Sequence, residues 1–270
     1  MGYETITVEP LTARIGGIVS GVDLTKPVSQ AQIDEIRAAL LEHQVIFFRN
    51  QPLDLETHKA FGRRFGELHL HSAMPGLEQH PEVRPIHADA KSKHIAGEEW
   101  HTDLSCDRIP PLGSILHLHT LPPLGGDTLF ASMYAAYDAL SDRMKGYLEG
   151  LTATHDGGLA FRRFNPDGKF PVSSHPVVPR HPETKRKLIY VNRGFTSHIN
   201  ELPPGESAAL LSFLYGHLEK PDFCCRFRWE QHSIAFWDNR CTQHLAIWDY
   251  YPNVRSGYRV QIKGFDPPFA

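Results

Sequence analysis

The chain has 270 residues, of which 41% are hydrophobic and 22% are charged, and its formal net charge is −3. This balance excludes an overall basic field that would hold nucleic acid or anionic lipid, and no apolar run approaches the ~20 residues that a membrane-spanning helix needs. Neither nucleic acid nor a membrane is therefore an expected partner, and any bound anion must be held by a local cluster of cations.

The cysteines and the first residues of the chain bear on where the protein works. Cys106, Cys224, Cys225 and Cys241 have neither CxxC spacing nor the regular spacing of a disulfide framework. Reduced thiols are typical of the cytoplasm, and the N-terminal residues lack the basic and apolar regions of a signal peptide. We therefore expect a cytoplasmic protein. No repeat or linker divides the sequence, which predicts a single domain over residues 1–270.

The first part of the chain combines short predicted strands with two predicted helices. A strand near residues 6–8 precedes a helix that begins after Ser29, because Ser29 and Gln32 form a capping box ahead of a periodic apolar face. Val45–Phe48 is a short apolar run, typical of a buried strand. A second helix is predicted over residues 55–65.

The rest of the chain is richer in predicted strands. Aromatic and β-branched residues predict strands over residues 114–121, 188–191, 225–229, 234–237 and 258–265. The spacing of apolar residues predicts helices over residues 133–151 and 206–218. Strands separated by long excursions predict a mainly β fold with helical insertions (α+β), in which two sheets form a barrel decorated by helices.

The sharpest local pattern is Trp100-His101-Thr102-Asp103. Side chains two residues apart in an extended segment point to the same face, so His101 and Asp103 could offer a nitrogen and a carboxylate oxygen to one ion. His244 is the best candidate for a third ligand, and two histidines with one carboxylate leave three positions of an octahedral ion open. The pair alone does not separate metal ligands from structural histidines, because the chain has 17 histidines.

Two arginines and a glycine-rich run complete the candidate site. Arg255 and Arg259 are four residues apart, which on a strand gives a common face. Inward guanidinium groups are costly without anions to meet them, and they bind carboxylate, sulfonate or sulfate by paired hydrogen bonds. Taken singly, each arginine would be assigned to the surface, and residues 125–128 (GGDT) would be assigned to a hairpin turn.

Taken together, these motifs resemble a known family, the taurine dioxygenase/TfdA family of Fe(II)/2-oxoglutarate oxygenases. Their order and spacing carry the resemblance, through residues 100–103 (WHTD), 110–111 (PP), 125–128 (GGDT), 237–240 (WDNR) and 242–244 (TQH), followed by the two arginines. The similarity extends from residues 16–24 to the last predicted strand. It implies a double-stranded β-helix (jelly-roll) core flanked by helices, which patterning alone does not predict.

The resemblance assigns the metal and co-substrate ligands residue by residue. His101, Asp103 and His244 are expected to bind Fe(II). Thr128 and Arg255 are expected to hold the distal carboxylate of 2-oxoglutarate, which together with O2 is the implied co-substrate.

The substrate residues implied by the resemblance are His71, Arg259 and Trp100. His71 and Arg259 are expected near the anionic end of the substrate, and Trp100 is expected to form a wall beside the iron. Gly97 and Met74 replace an asparagine and a tyrosine of the taurine enzymes, which removes hydrogen-bonding groups near a small zwitterion's amine. A bulkier or more apolar anion than taurine is therefore expected.

The implied activity is hydroxylation of a small anionic organic substrate, with decarboxylation of 2-oxoglutarate to succinate and CO2. The substrate could be a sulfonate, a sulfate ester or an aryloxy or alkyl carboxylate, and the implied assembly is a homodimer or homotetramer. Residues 157–161 are expected to form either a mobile lid or a plain surface loop.

Two rival classes stay open on the sequence. A zinc-dependent hydrolase could use the same three ligands with an activated water, but it has no use for Thr128 and Arg255. A non-catalytic jelly-roll binding protein would be expected to lose at least one ligand, and none is missing.

Overall fold

The computed structural model describes residues 2–266 and residue 269. Strands occupy 27% and helices 22% of the chain, which confirms the prediction of a sheet-rich fold with helical insertions. The described strands are β1 (Thr7–Pro10), β2 (Gly17–Ser20), β3 (Val45–Phe48), β4 (Arg84–Ala88), β5 (Gly113–Thr120), β6 (Thr128–Ser132), β7 (Thr152–Asp156), β8 (Val172–Pro176), β9 (Thr196–Ile199), β10 (Cys224–Phe227), β11 (Ile234–Asp238), β12 (Thr242–Ala246) and β13 (Arg255–Ile262). The described helices are α1 (Gln30–His43), α2 (Leu55–Arg63), α3 (Met133–Asp138), α4 (Asp142–Leu148), α5 (Gly157–Phe161) and α6 (Pro204–Leu218), with a 3₁₀ turn over Pro221–Phe223.

The helix boundaries follow local capping signals. The predicted capping box is present at α1, where the Ser29 side chain accepts a hydrogen bond from the Gln32 backbone and the Gln32 side chain accepts one from the Ser29 N–H, each at 3.2 Å. The single helix predicted over residues 133–151 is wrong, because this stretch forms α3 and α4. Ser141 ends the continuity by capping a new helix through the Met144 N–H.

Most strands belong to two sheets. The larger sheet has the strand order β1-β2-β3-β11-β5-β13-β4, in which β2 and β3 pair in parallel and the other neighbours pair antiparallel. The smaller sheet has the order β10-β6-β12 and is antiparallel. A third antiparallel sheet, β8-β7-β9, lies outside these two.

Side-chain alternation gives the larger sheet two different apolar faces. Ile46 and Phe48 of β3 pack in a core with α1 and α2, whereas Val45 and Phe47 pack in a second core with strands of the smaller sheet. Phe47 stacks on Phe227 of β10, with 3.8 Å between the ring centroids. The smaller sheet therefore covers one face of the larger sheet, and the two helices cover the other.

The strand predicted over residues 188–191 is wrong. All four residues are buried in a core with α3 and α6, but their backbone forms loop hydrogen bonds. Ile189 N–H donates to Met133 O at 3.3 Å and Tyr190 N–H donates to Val177 O at 2.8 Å. A short apolar run fills a core equally well as strand or as loop, so its composition does not decide between them.

The hairpin assignment at residues 125–128 is also wrong, because the flanking strands β5 and β6 belong to different sheets. The loop instead carries the chain from the larger sheet to the smaller one. Gly125 has φ +78°, and a Cβ there would overlap the Asp249 carboxylate, whose Oδ1 accepts a hydrogen bond from Gly126 N–H at 2.8 Å. This anchored crossing delivers Thr128 to the start of β6.

All four cysteines are free, and three of them are buried. Among the helices that the structure describes, none combines the length and the apolar character needed to cross a membrane.

Candidate active site

The three predicted metal ligands come together between the two facing sheets. Asp103 Oδ1 lies 3.5 Å from His101 Nε2 and 4.0 Å from His244 Nε2. The two histidines also pair through their backbones, because His101 N–H donates to His244 O at 3.1 Å and His244 N–H donates to His101 O at 2.9 Å. Residue 101 thus adds to the edge of β12, and strand pairing fixes the spacing of the two imidazoles.

Hydrogen bonds outside the cluster orient His101 and Asp103. His101 Nδ1 donates to Glu99 O at 2.8 Å, which leaves the Nε2 lone pair facing the cluster. Ser114 Oγ donates to Asp103 Oδ2 at 2.7 Å, so the other carboxylate oxygen, Oδ1, faces the histidines. Such partners fix ligand tautomer and orientation at metal sites.

The electrostatics of the cluster suit a divalent cation. His244 packs against Trp237 with 4.7 Å between ring centroids, and burial together with the nearby His101 holds the pKa of His244 well below its ordinary value. Burial alone would raise the pKa of Asp103, but the Arg259 guanidinium and His244 bring it well below the usual range. Two imidazoles and one carboxylate form the donor set that suits an open-sided transition-metal site.

Gly97 lies beside the His101 ring, so a larger residue at this position would crowd the imidazole. Its φ is +87°, and a Cβ there would lie 3.0 Å from His101 Cε1. We expect Gly97→Ala to displace the imidazole and weaken Mn(II) binding by about 10-fold or more, measured by calorimetry. Gly150→Ala is the matched control, because Gly150 has a similar φ of +83° but a Cβ there would meet no atom within 4 Å. An unchanged metal affinity in Gly97→Ala would contradict the proposed crowding.

Thr128 and Arg255 meet on one side of the cavity, where the resemblance placed the co-substrate carboxylate. Arg255 Nη2 donates to Thr128 Oγ1 at 3.3 Å and Arg255 Nε donates to Gly126 O at 3.0 Å. Trp229 Nε1 also donates to Thr128 Oγ1 at 2.9 Å. Burial lowers the pKa of Arg255 to about 10, and within the described chain this guanidinium forms no salt bridge. A buried cation of this kind needs an anion.

Arg259 faces both the metal ligands and the cavity. Its Nη1 donates to Asp103 Oδ1 at 2.8 Å, while its Nε is buried without a hydrogen-bond partner in the described part of the chain. The sequence placed Arg259 near the anionic end of the substrate, and the structure adds a contact with the ligand carboxylate. One arginine therefore contacts the Asp103 oxygen that faces the histidines and also lines the cavity.

His71 lines the same cavity together with Arg84, a residue that the sequence analysis missed. His71 Nε2 faces Arg84 Nη1 at 2.5 Å. Arg84 lies on β4 directly opposite Arg259 on β13. The available signal was alternation in β4, where Arg84 shares the less exposed face with Ile86 and Ala88.

The cavity has a volume of about 830 Å³, including its open mouth. Large apolar side chains make up part of its lining, here called the apolar wall: Leu104, Leu116, Phe130, Phe161, Phe195 and Trp237. Trp100, which was expected as a wall, is buried but is not among the residues that line the cavity. Trp237 supplies an indole beside the ligands instead. Such a wall suits the apolar part of a substrate.

The segment 157–161 is a short helix rather than the plain surface loop that was one of the two expectations. Asp156 caps α5 by accepting a hydrogen bond from Gly158 N–H at 2.7 Å. Phe161 points inward and is 7% exposed, whereas Leu159 points outward and is 50% exposed. The helix thus contributes a side chain to the cavity wall, and its movement as a lid stays a prediction.

A second cluster with metal-ligand chemistry, His181, Asp238 and Cys241, has a structural explanation. Arg240 donates to Asp238 Oδ1 from Nε at 2.8 Å and to Oδ2 from Nη2 at 2.6 Å, and His181 Nε2 lies 3.1 Å from Oδ2. Both oxygens of the Asp238 carboxylate therefore already accept hydrogen bonds from within the protein. The cluster therefore holds the turn between β11 and β12, which leads to His244.

Comparison with known proteins agrees with this geometry. The family described as "Taurine catabolism dioxygenase TauD, TfdA family" matches residues 7–261. The chain is 34% identical over 275 residues to an alpha-ketoglutarate-dependent sulfonate dioxygenase of Saccharomyces cerevisiae, covering 94% of this chain and 66% of that protein. It is 31% identical over 277 residues to an alpha-ketoglutarate-dependent sulfate ester dioxygenase of Pseudomonas putida, covering 97% of this chain and 91% of that protein.

A solved structure extends the similarity to three dimensions. A taurine dioxygenase from Burkholderia xenovorans superposes with a TM-score of 0.86 at 39% identity, covering 97% of this chain and 92% of that chain. The protein is therefore a dioxygenase that depends on 2-oxoglutarate (alpha-ketoglutarate) and acts on an anionic organic substrate. It belongs to the TauD/TfdA family. Membership favours the dioxygenase over both rival classes, the zinc hydrolase and the binding protein.

Proposed function

We propose that His101, Asp103 and His244 bind Fe(II) and that the enzyme hydroxylates a small organic sulfonate, sulfate ester or aryloxy or alkyl carboxylate. In this reaction 2-oxoglutarate is decarboxylated to succinate and CO2. The observation that carries the proposal is that two features line one cavity: a His-Asp-His donor set, and the guanidinium of Arg255, which forms no salt bridge with the described residues.

Each group of residues has a defined task in this proposal. Fe(II), when bound, supplies the oxygen chemistry that side chains lack. Arg255 and Thr128 hold the distal carboxylate of 2-oxoglutarate, because a guanidinium and a hydroxyl are suitable donors to its two oxygens. The apolar wall around Phe161 and Trp237 excludes water and keeps the substrate carbon close to the ligands. Arg259 and His71 lie at the substrate's anionic end.

We also propose the finer features of the architecture. The two facing sheets form a double-stranded β-helix core within a single domain over residues 1–270, since β-strands of both sheets contribute to one shared apolar core. The protein works in the cytoplasm as a homodimer or homotetramer, and sedimentation at micromolar concentration tests that assembly.

The test of the function is succinate formation by the purified protein with Fe(II), ascorbate and 2-oxoglutarate. A panel of sulfonates, alkyl sulfates and aryloxy acids should contain at least one compound that stimulates succinate production. Zn(II) in place of Fe(II) should give no succinate. The zinc hydrolase would be favoured over the dioxygenase if the zinc-loaded protein hydrolysed a panel compound and the iron-loaded protein formed no succinate.

Replacing Arg255 isolates the co-substrate site. We expect Arg255→Gln to raise the KM for 2-oxoglutarate by roughly 10- to 100-fold, because a hydrogen-bonded charge pair in a buried site is lost. Arg226→Gln is the matched control, since Arg226 is more than half exposed and its Nε donates to Asp127 Oδ2 at 2.7 Å, away from the cavity. Equal KM values in the two variants would remove Arg255 from the 2-oxoglutarate site.

A further inference from the structure

We propose that Arg84 is a specificity-determining residue, which forms with Arg259 and His71 a subsite for a three-oxygen oxyanion, a sulfonate or sulfate group, on the substrate. This inference rests on the proposed function, because it names the substrate class of the same cavity. It adds a residue, Arg84, that the family motifs do not include.

The first argument is the hydrogen bonding of His71. Its Nδ1 accepts hydrogen bonds from the backbone N–H groups of Ala73 and Met74, each at 3.1 Å. A ring nitrogen that accepts has no proton, so the neutral imidazole has its proton on Nε2. Burial, with Arg84 and Arg259 next in effect, lowers the pKa of His71 to about 2, which keeps the ring neutral. His71 Nε2 is therefore a donor.

The donor on His71 faces a second donor. Arg84 Nη1 lies 2.5 Å from His71 Nε2, and a guanidinium has no acceptor. Two N–H groups that point at each other cannot satisfy one another. An anionic oxygen beside the two groups would accept a hydrogen bond from each once they move apart, so the arrangement has the form of a binding site whose acceptor comes from outside the chain.

Arg84 also lacks a charge partner of its own in the part of the chain that the structure describes. Its other contact is Nη2 with Met74 Sδ at 2.7 Å, and a thioether is a weak acceptor. No salt bridge to Arg84 is found within the described residues. Burial, and then the neighbouring Arg259, lower the pKa of Arg84 to about 9, and Asp103, which forms a salt bridge with Arg259, offsets this lowering only in part. Cations of this kind at a cavity wall indicate an anionic ligand.

The donor arrangement indicates the class of anion. Arg84 and Arg259 are directly opposite on neighbouring strands and both line the cavity. These lining residues offer three donor groups: the Arg84 fork, His71 Nε2 and the Nε of Arg259, which is buried and has no hydrogen-bond partner among the described residues. A sulfonate or sulfate offers three terminal oxygens to these donors, whereas a carboxylate offers two. The subsite therefore matches a sulfonate or sulfate better.

The test is calorimetric titration of the protein loaded with Mn(II) and 2-oxoglutarate, using hexane-1-sulfonate, hexyl sulfate and hexanoate as probes. The wild type should bind the sulfonate or the sulfate more tightly than hexanoate. Arg84→Gln should weaken sulfonate and sulfate binding by roughly 10- to 100-fold and narrow the preference over hexanoate, and Arg84→Lys should give a smaller loss. The affinity for 2-oxoglutarate and the midpoint of thermal unfolding should stay unchanged.

Arg163→Gln provides the matched control. Arg163 also lines the cavity, but it already forms a salt bridge with Glu98, so its loss should leave probe binding unchanged. The assignment would be overturned by unaltered probe binding in Arg84→Gln or by an equal loss of probe binding in Arg163→Gln. It would also be overturned if the wild type preferred hexanoate or bound none of the probes. Absence of 2-oxoglutarate binding or of succinate formation would instead count against the proposed function. The probe titration tests the role of Arg84 in oxyanion binding separately.

Discussion

Asp103→Asn should abolish substrate-stimulated succinate formation and weaken Mn(II) binding by more than about 100-fold. Loss of an outer partner of a metal ligand costs about 10- to 100-fold in affinity, and loss of the only anionic ligand costs more. The amide keeps the shape of the carboxylate but removes the charge that compensates the Arg259 guanidinium 2.8 Å away. Metal affinity by calorimetry and succinate by chromatography measure the two effects independently.

Asp107→Asn is the control for this experiment. Asp107 lies four residues further along and is also buried, but its Oδ1 accepts a hydrogen bond from Ser72 Oγ at 2.8 Å and it is not among the cavity-lining residues. This variant should retain metal binding and activity. Full metal affinity in Asp103→Asn, or an equal loss in Asp107→Asn, would mean that Asp103 is not a ligand.

Asp238→Ala should lower the free energy of unfolding by about 3–5 kcal/mol, because removing one partner of a buried ion pair leaves the other charge uncompensated. Asp238 is fully buried and accepts hydrogen bonds from Arg240 Nε at 2.8 Å and from Arg240 Nη2 at 2.6 Å. Urea denaturation measures the loss. Asp266→Ala, which breaks an exposed pair with Arg108, should leave the free energy of unfolding unchanged. Equal stability of the two variants would refute this role for Asp238.

The same carboxylate predicts a dependence of stability on pH. Burial alone would raise the pKa of Asp238, but the Arg240 guanidinium and His181 lower it below its ordinary value of 3.8. A lowered folded-state pKa contributes stability that is present above the unfolded-state pKa and is lost as the pH falls through the folded-state pKa. The difference in unfolding free energy between wild type and Asp238→Ala should therefore shrink below about pH 4. A constant difference across that range would argue against the ion pair.

The elements that were predicted correctly depend on local signals. The start of α1 follows from the Ser29 capping box, and β3 follows from an apolar run of strand length. The errors lie where tertiary packing decides. Residues 188–191 are apolar because α3 and α6 pack against them, and composition does not record whether a buried backbone pairs with a neighbouring strand.

The grouping of His101, Asp103 and His244 was predictable and part of the substrate side was not. His101 and Asp103 are neighbours in sequence and His244 lies in a recognisable motif, so the family pattern selected all three residues that the structure brings together. Arg84 has no motif around it. Its position depends on the pairing of β4 with β13, which brings together residues 175 positions apart (259 − 84 = 175). Such a long-range register cannot be derived from one sequence.

The position of β4 at the edge of the larger sheet has an evolutionary consequence. Two of the proposed metal ligands are joined through backbone hydrogen bonds inside the fold, whereas Arg84 lies on a strand that pairs on one side only within the described structure. Substitutions on a peripheral strand disturb fewer neighbours than substitutions within a paired interior. Mutations in this edge strand can therefore change which compound the enzyme oxidises during evolution, while the His-Asp-His cluster is inherited unchanged.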